Sequence, residues 1–447
     1  MRWPGAEARA SGAVGMSSEI GIALLGAGNV GSGFVAALAQ GRERHASHVG
    51  APLALRRVLV RNRERNRPGI AEGQLTTSIE DVLADPHTQI VVELMGGEFP
   101  AFDYIRRALV SGRHVVTANK EVMAKRGAEL LAAAAKHDVR LLYEASVGGG
   151  IPVVHPLGRD LLANEISSVT AIINGTTNYM LTAMTQQGAE YADVLREAQR
   201  LGYAEPDPTD DVQGIDAAYK LAILCGLAFH VQLLPEEITR RGITALTARD
   251  FLYARELGYT IKLLATGRVV DRELIATVQP TLVASNEPLA KVDGVLNAIQ
   301  IEGDLVGRVV FEGPGAGRAP TSSAVLADVL DVARDIVAGR SERPEPARRT
   351  VRVRPPAEHR ARHYLRVGVL DQAGVLARIA GALGDNGVSI ASVIQFETDE
   401  EPETAELVLT THFAEGGPLQ RALDRIAALN VVRDVGMVLP MVGQGAR

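Results

Sequence analysis

Residues 203–220 read Tyr-Ala-Glu-Pro-Asp-Pro-Thr-Asp-Asp-Val-Gln-Gly-Ile-Asp-Ala-Ala-Tyr-Lys, an acid-rich stretch that ends on a lysine. Pro206 and Pro208 limit the freedom of the loop carrying Glu205, Asp207, Asp210 and Asp211. A helix follows, with Asp216 and Lys220 at i and i+4, so carboxylate and ammonium project from one face. Glu205 lies eleven residues before Asp216. A lysine with two carboxylates near it can be held in place, kept charged and used as a proton donor. The same residues also suit a charged first helical turn with a surface ion pair, and the choice falls to the elements around them.

Residues 20–25 form a short apolar strand, followed at once by Gly26-Ala27-Gly28-Asn29-Val30-Gly31 and an apolar helix over 34–38. Strand, G-x-G-x-x-G and helix in that order are the context of a dinucleotide-binding turn. Gly26 permits the tight turn, Gly28 lets a pyrophosphate approach the backbone, and Gly31 lets helix and strand pack closely. The helix N-terminus then offers its N–H groups to phosphate. A second strand, 55–60, ends at Arg61, where NAD sites place an acid for the ribose hydroxyls. A cation there suits the 2′-phosphate of NADP, although 61–65 also reads as a polar turn.

Strands are expected at 90–95, ending on Met95 and two glycines, at 114–118, and at 139–143, with a helix over 102–109. Asn119 and Lys120 stand at a carboxyl end of this parallel sheet, where ligands gather. The stretch Glu144-Ala145-Ser146-Val147-Gly148-Gly149-Gly150-Ile151-Pro152 bends closely around something. A carboxylate with converging carbonyls would suit a hard cation, and a plain domain-crossing loop fits equally.

From 153 to 298 the pattern changes to helices over 192–200 and 216–228 and strands at 261–264, 275–282, 297–302 and 308–312, a second sheet with helices on it. A helix over 321–337 returns the chain towards the nucleotide site. Residues 340–360, rich in Pro, Arg and Glu, read as a linker. Beyond it, 364–437 spell βαββαβ, a ferredoxin-like module.

Composition narrows the class. The 447 residues allow two or three domains; a net charge of −6 and 4% aromatics give no footing for nucleic acid. One cysteine, Cys225, excludes an intrachain disulfide. No apolar run spans a membrane, and residues 1–18 read as a disordered leader with Met16 as an alternative start, so a cytoplasmic location is expected.

Assembled, the chain resembles bacterial homoserine dehydrogenases of the long form with a C-terminal ACT domain. The resemblance rests on Thr117-Ala118-Asn119-Lys120, the Glu144–Pro152 stretch, Asn174-Gly175-Thr176-Thr177-Asn178-Tyr179, Gly202-Tyr203-Ala204-Glu205-Pro206-Asp207-Pro208, and Asp216 with Lys220. It implies an α/β architecture: a Rossmann domain over 19–150 completed by 313–340, an α+β catalytic and dimerisation domain over 151–312, a linker over 341–361, and an ACT domain over 362–447. It implies NAD(P)-dependent interconversion of L-aspartate 4-semialdehyde and L-homoserine, on the path to threonine and methionine. By the family pattern Lys220 is the general acid, Lys120 a second lysine at the site, and Glu205 and Asp216 hold substrate and orient the lysine. Gly26, Ala27, Gly28, Asn29, Val30, Arg61, Met95, Lys120, Gly202 and Gly317 would meet the cofactor. Glu144, with the carbonyls of Val147, Gly149 and Ile151, matches a structural sodium site. Threonine is the implied ligand of the ACT module, near 371–374 and Asn386-Gly387, in a homodimer or homotetramer. The phosphorylating dehydrogenase of the same semialdehyde needs a reactive cysteine, and apolar surroundings make Cys225 a poor one. A non-catalytic amino-acid sensor would have no use for Glu205, Asp216, Lys220 and Lys120 together.

Overall fold

The computed structural model of the protein describes residues 19–340, 349–397 and 404–443. The expected leader and residues 341–348 of the expected linker lie outside the described residues.

Six parallel strands make the first sheet, in the spatial order Leu75–Thr76, Leu53–Leu59, Ile20–Leu25, Thr88–Glu93, His114–Thr117, Leu141–Leu142. Numbered along the chain this is 3-2-1-4-5-6, the doubly wound order that gathers ligands at the carboxyl ends of its strands. One strand feeds two cores by simple alternation. Ile20, Ile22 and Leu24 pack with Phe34 and Val35 of helix Asn29–Gln40, while Ala23 and Leu25 join Ile105 of helix Ala101–Val110. Helix Arg318–Ala338 lays Val325, Val329 and Val332 into the Phe34 core, far from it in sequence. The strand expected at 139–143 shortens to Leu141–Leu142, because Tyr143 already leads into the tight turn Glu144–Ser146.

The second sheet runs Gly307–Pro314, Leu296–Gly303, Ile166–Ile172, Tyr259–Val270, Glu273–Ala284. Helices Gly175–Gln187, Ile215–Phe229 and Ala248–Glu256 lie on it. The last of these, unanticipated from sequence, is short and opens on a capping box between Thr247 and Asp250.

The C-terminal module has the expected βαββαβ order, with strands Arg360–Leu370, Ile390–Glu397, Thr404–Thr411 and Val432–Val442 arranged 4-1-3-2. Its last strand pairs with Glu273–Ala284 (Leu282 with Met441, Val283 with Val442), fusing the module to the second sheet. Leu365, Val367, Leu407 and Leu409 face the module's own helices. The alternate residues Arg366 and Glu406 are buried against helix Ala248–Glu256, where Arg366 donates to Asp250 at 2.8 Å and to Glu406 at 3.0 Å. Tyr253 donates to Glu406 at 2.5 Å, and its ring stacks on Phe396 at 4.3 Å.

The described part of the expected linker does not run free. Arg349–Thr350 pairs with Val231–Gln232, Val353 bridges to Leu274, and Arg352 and Arg354 bond Glu273 at 2.6 and 2.9 Å. Its Arg352 and Arg354 are ion-pair partners of strand Glu273–Ala284.

Candidate active site

Two helices from two different sheets bring the charged residues together. The first, Lys120–Lys136, starts at the carboxyl end of strand His114–Thr117. Asn119 is its N-cap, accepting from Val122 N at 3.1 Å, and its amide donates to Gly97 O at 2.8 Å. Beneath it the buried Glu93 ties adjacent strand ends, accepting from Thr117 Oγ1 at 2.6 Å and Met95 N at 2.7 Å. Burial raises the Glu93 pKa above the usual carboxylate value, against the pull of these hydrogen bonds. Lys120 is therefore held at a fixed corner of the nucleotide-binding sheet.

The second helix, Ile215–Phe229, presents Asp216 and Lys220 one turn apart. Lys220 Nζ donates to Asp216 Oδ2 at 2.7 Å and to Ile173 O at 2.8 Å. Lys120 Nζ binds the other oxygen, Asp216 Oδ1. One buried carboxylate thus carries two ammonium groups, one from each sheet. Burial works against ionisation of Asp216, yet the charges of Lys220 and Lys120 outweigh it and hold the carboxyl well below the usual range. Burial lowers the Lys220 pKa, Asp216 offsets only part of this, and the Lys120 charge adds to the lowering. For Lys120 the balance reverses: Asp216 outweighs burial and raises its pKa.

Asn174 completes the cluster. It is the N-cap of helix Gly175–Gln187, accepting from Thr177 N at 2.9 Å, while its Nδ2 donates to Asp216 at 3.0 Å and to Asp211 at 2.6 Å. Sequence alone does not mark Asn174 or Asp211 as a site residue, although both lie in stretches that it does mark. Glu205 is not brought to the lysines: it is exposed, and its carboxylate makes no hydrogen bond or ion pair among the described residues. Its loop is nonetheless pinned, by Thr176 Oγ1 to Tyr203 O at 2.7 Å and by Gln199 Nε2 to Glu205 O at 3.1 Å.

The glycine turn suits a nucleotide. Gly26 has φ +94°, and a Cβ there would meet Leu94 O at 2.7 Å. A Cβ on Gly31 would meet Gly26 O at 2.2 Å, yet Gly28 faces open space. The turn is closed to side chains where strand and helix meet and open where a pyrophosphate would lie. Ala27, Asn29 and Val30 complete the turn into helix Asn29–Gln40. Arg61 is exposed beyond strand Leu53–Leu59, without a partner among the described residues. Gly202 (φ +77°) and Gly317 (φ +123°) stand at two further loops, the latter at the start of helix Arg318–Ala338.

The Glu144 loop departs from the expected carboxylate ligand. Glu144 Oε1 accepts from Val153 N and Val154 N at 2.6 and 2.9 Å, and Oε2 from His155 N and Nδ1 at 2.8 and 2.7 Å. Four donors occupy the carboxylate, which caps the helical turn beginning there, so it does not fit a cation as a side-chain ligand. Among the described residues no group of three or more His, Cys, Asp or Glu could hold a metal ion. The glycines answer to the protein's own backbone: a Cβ on Gly149 would meet Gly315 O at 2.4 Å, and Gly150 N donates to Pro314 O at 3.1 Å. Cys225 is fully buried and burial pushes its thiol pKa up, which removes it as a nucleophile.

Known proteins similar to this chain agree in name. The family model "Homoserine dehydrogenase" matches residues 152–330, "Homoserine dehydrogenase, NAD binding domain" matches 26–144, and "ACT domain" matches 363–431. A homoserine dehydrogenase of Mycobacterium tuberculosis is 41% identical over 439 residues, covering 96% of this chain and 99% of the relative. The chain belongs to the homoserine dehydrogenase family. It is an NAD(P)-dependent oxidoreductase acting on a CH–OH group. A crystal structure of a homoserine dehydrogenase from Thiobacillus denitrificans superposes with a TM-score of 0.89 at 39% identity, over 95% of this chain and 98% of that one. A hyperthermophilic archaeal homoserine dehydrogenase mutant, solved in complex with NADPH, matches with a TM-score of 0.60 at 27% identity, over 70% of this chain and 97% of that one. Among the described residues no helix is long and apolar enough to cross a membrane.

Proposed function

We propose that the chain interconverts L-aspartate 4-semialdehyde and L-homoserine, with Lys220 as the acid that protonates the aldehyde oxygen during reduction. The observation that carries this is the pair of lysines on one buried aspartate at the carboxyl edge of the nucleotide-binding sheet. The nicotinamide, when bound, supplies the hydride in reduction and takes it in oxidation. As the carbonyl oxygen gains negative charge, a positioned ammonium stabilises it and then protonates it. Lys220 has three N–H donors; Ile173 O and Asp216 take two, leaving one for substrate. Its lowered pKa eases release of that proton, while Lys120 stays charged, neutralises Asp216 and binds substrate from its more exposed position. Asp216 orients both lysines, and the uncommitted Glu205 carboxylate receives the substrate ammonium.

Lys220→Met is expected to lower turnover by about 10²–10⁴-fold with the NADPH dissociation constant unchanged. Loss of cofactor binding with turnover of bound complexes intact would contradict the assigned role. NADP is the preferred cofactor, its 2′-phosphate taken by Arg61, with Met95, Gly202 and Gly317 towards the nicotinamide. Arg61→Ala then weakens NADPH more than NADH, and equal weakening of both, measured by fluorescence titration, removes this reading.

Threonine feedback through the ACT module, at the 371–374 turn and Asn386-Gly387, fits a module joined to the catalytic sheet. Such pockets form between paired modules, which suits a homodimer or homotetramer on the route to threonine, methionine and isoleucine. Homoserine oxidation assayed with NADP and NAD, with and without threonine, tests the whole scheme. A sodium ion in the 144–151 loop would rest on the carbonyls of Val147, Gly149 and Ile151 without the Glu144 carboxylate, and would be structural.

A further inference from the structure

Lys262 is one of the largest fully buried side chains of the molecule, 1% exposed, and nothing in the reaction above uses it. It stands on strand Tyr259–Val270, and its ammonium meets three acceptors: Val292 O at 2.6 Å, Asp293 Oδ1 at 3.0 Å and Asn178 Oδ1 at 3.4 Å. All three lie on, or hold, the turn that precedes strand Leu296–Gly303. Helix Gly175–Gln187 grips the same turn along one face. Asn178 Nδ2 donates to Val292 O and Leu296 O, both at 3.0 Å, Thr182 Oγ1 accepts from Gly294 N at 3.1 Å, and Gln186 donates to Asp293 at 3.3 Å.

The turn so fixed and the strand it leads into touch two glycines. Val295 O lies 3.0 Å from where a Cβ on Gly175 would stand, at the first residue of the helix that Asn174 caps. On the other side Asn297, 1% exposed, presses on Gly315, where a Cβ would fall 1.9 Å from Asn297 Nδ2. Gly315 belongs to the loop that lies over Gly149 and leads to Gly317. The 292–295 turn with the strand start at Asn297 is thus a spacer between the start of the Asn174 helix and the 313–317 loop. Burying an ammonium is costly unless it is fully bonded, and an apolar residue would fill the same space at less cost. A charge retained with three acceptors buys a fixed position for the turn rather than packing alone.

We propose that Lys262 is a positioning residue of the dehydrogenase reaction: through the 292–295 turn and the strand start at Asn297 it sets the gap between Gly175, next to the Asn174 that bonds Asp216, and Gly315, in the loop that leads to Gly317. This rests on the site assigned above to Lys220 and Asp216. A displacement near 1 Å at such a distance from the chemistry can cost up to about 10²-fold in rate.

The test compares Lys262→Met, Asp293→Ala and Thr182→Val with the unaltered protein in homoserine oxidation, as rates per mole of folded protein, resolving the homoserine and NADP KM values. Lys220→Met runs alongside. Lys262→Met is expected to lower kcat/KM for homoserine by roughly 10–10²-fold, and the two milder variants by a few-fold, with raised KM values. A merely structural lysine would lower the melting temperature and leave both KM values in place. If Lys262→Met does not fold, Asp293→Ala and Thr182→Val decide, since both keep the lysine: the first removes one of its acceptors on the turn, and the second loosens the turn from its helix side. All folded variants staying within two-fold of the unaltered protein, with Lys220→Met inactive, overturns the positioning role and leaves the site standing. An active Lys220→Met overturns the site itself.

Discussion

Two buried acids, Asp216 and Asp250, each sit among cations where two parts of the molecule meet, and they are built from different cations. Asp216 is bonded by Lys120 and Lys220. Asp250 is bonded by Arg366 of the C-terminal module, with Glu406 on the same guanidinium and Arg249 on Glu406. Asp250 is fully satisfied: Arg366 Nε at 2.8 Å, Thr247 N and Oγ1 at 3.0 and 2.9 Å, and Tyr364 Oη at 3.3 Å. Arg366 is raised above even the usual arginine range, burial being outweighed by Asp250 and Glu406. A guanidinium is a rigid fork that does not give up its proton, whereas an ammonium shifts its pKa readily when buried. The first cluster keeps a spare donor for a ligand, and the second spends its donors on the protein. The first arrangement suits the proton transfer proposed for Lys220 and the second joins the C-terminal module to helix Ala248–Glu256, and the choice of cation separates them.

The sharpest way to break this comparison is Lys220→Arg. It keeps the charge beside Asp216 but replaces the ammonium with a guanidinium too weakly acidic to give up a proton, and turnover is expected to fall by about 10²–10⁴-fold, close to the Lys220→Met effect, with little change in urea unfolding. Retained turnover would mean that charge alone suffices. Next in size is Arg366→Met, which strands Asp250 and Glu406 in a buried setting and is expected to cost about 3–5 kcal/mol in stability, read from urea melts, while folded protein keeps its turnover. Turnover lost without a change in stability would make the second cluster catalytic too. The pH profile is the third test. With the Lys220 pKa lowered below the ordinary lysine value, reduction needs the protonated amine and should decline as pH rises through that value. Oxidation needs the neutral amine and should climb over the same interval. Profiles of the same sign in both directions would exclude Lys220 as the titrating group. Smallest is Tyr253→Phe, which removes a hydrogen bond to Glu406 and should cost about 1 kcal/mol, with both KM values unmoved.

The sequence made some of this legible and hid the rest for physical reasons. Gly26 and Gly31 declare themselves because the backbone there tolerates no Cβ, and Asp216 and Lys220 because helical spacing puts them on one face. Lys120 is readable only through the rule for parallel sheets. The part played by Asn174 was hidden, since its bonds to Asp211 and Asp216 cross 37 and 42 residues. For Glu144 the residue type suggested a ligand, but the backbone N–H groups of Val153, Val154 and His155 decided what it binds. Composition marks residues 349–354 as linker but not their pairing, because arginine and glutamate look alike whether solvated or paired with a strand.

Helix Arg318–Ala338 has a consequence for the birth of the chain. It supplies one side of the core around Phe34 and Leu24, yet the ribosome makes it only after the whole second sheet up to Pro314. At roughly 5–20 residues per second, the nucleotide-binding part waits about 10–40 s between its last strand and the helix that covers it. During that interval the nascent chain carries an apolar face that the helix has not yet covered. The core of the first domain therefore closes only once the chain of the second has been made.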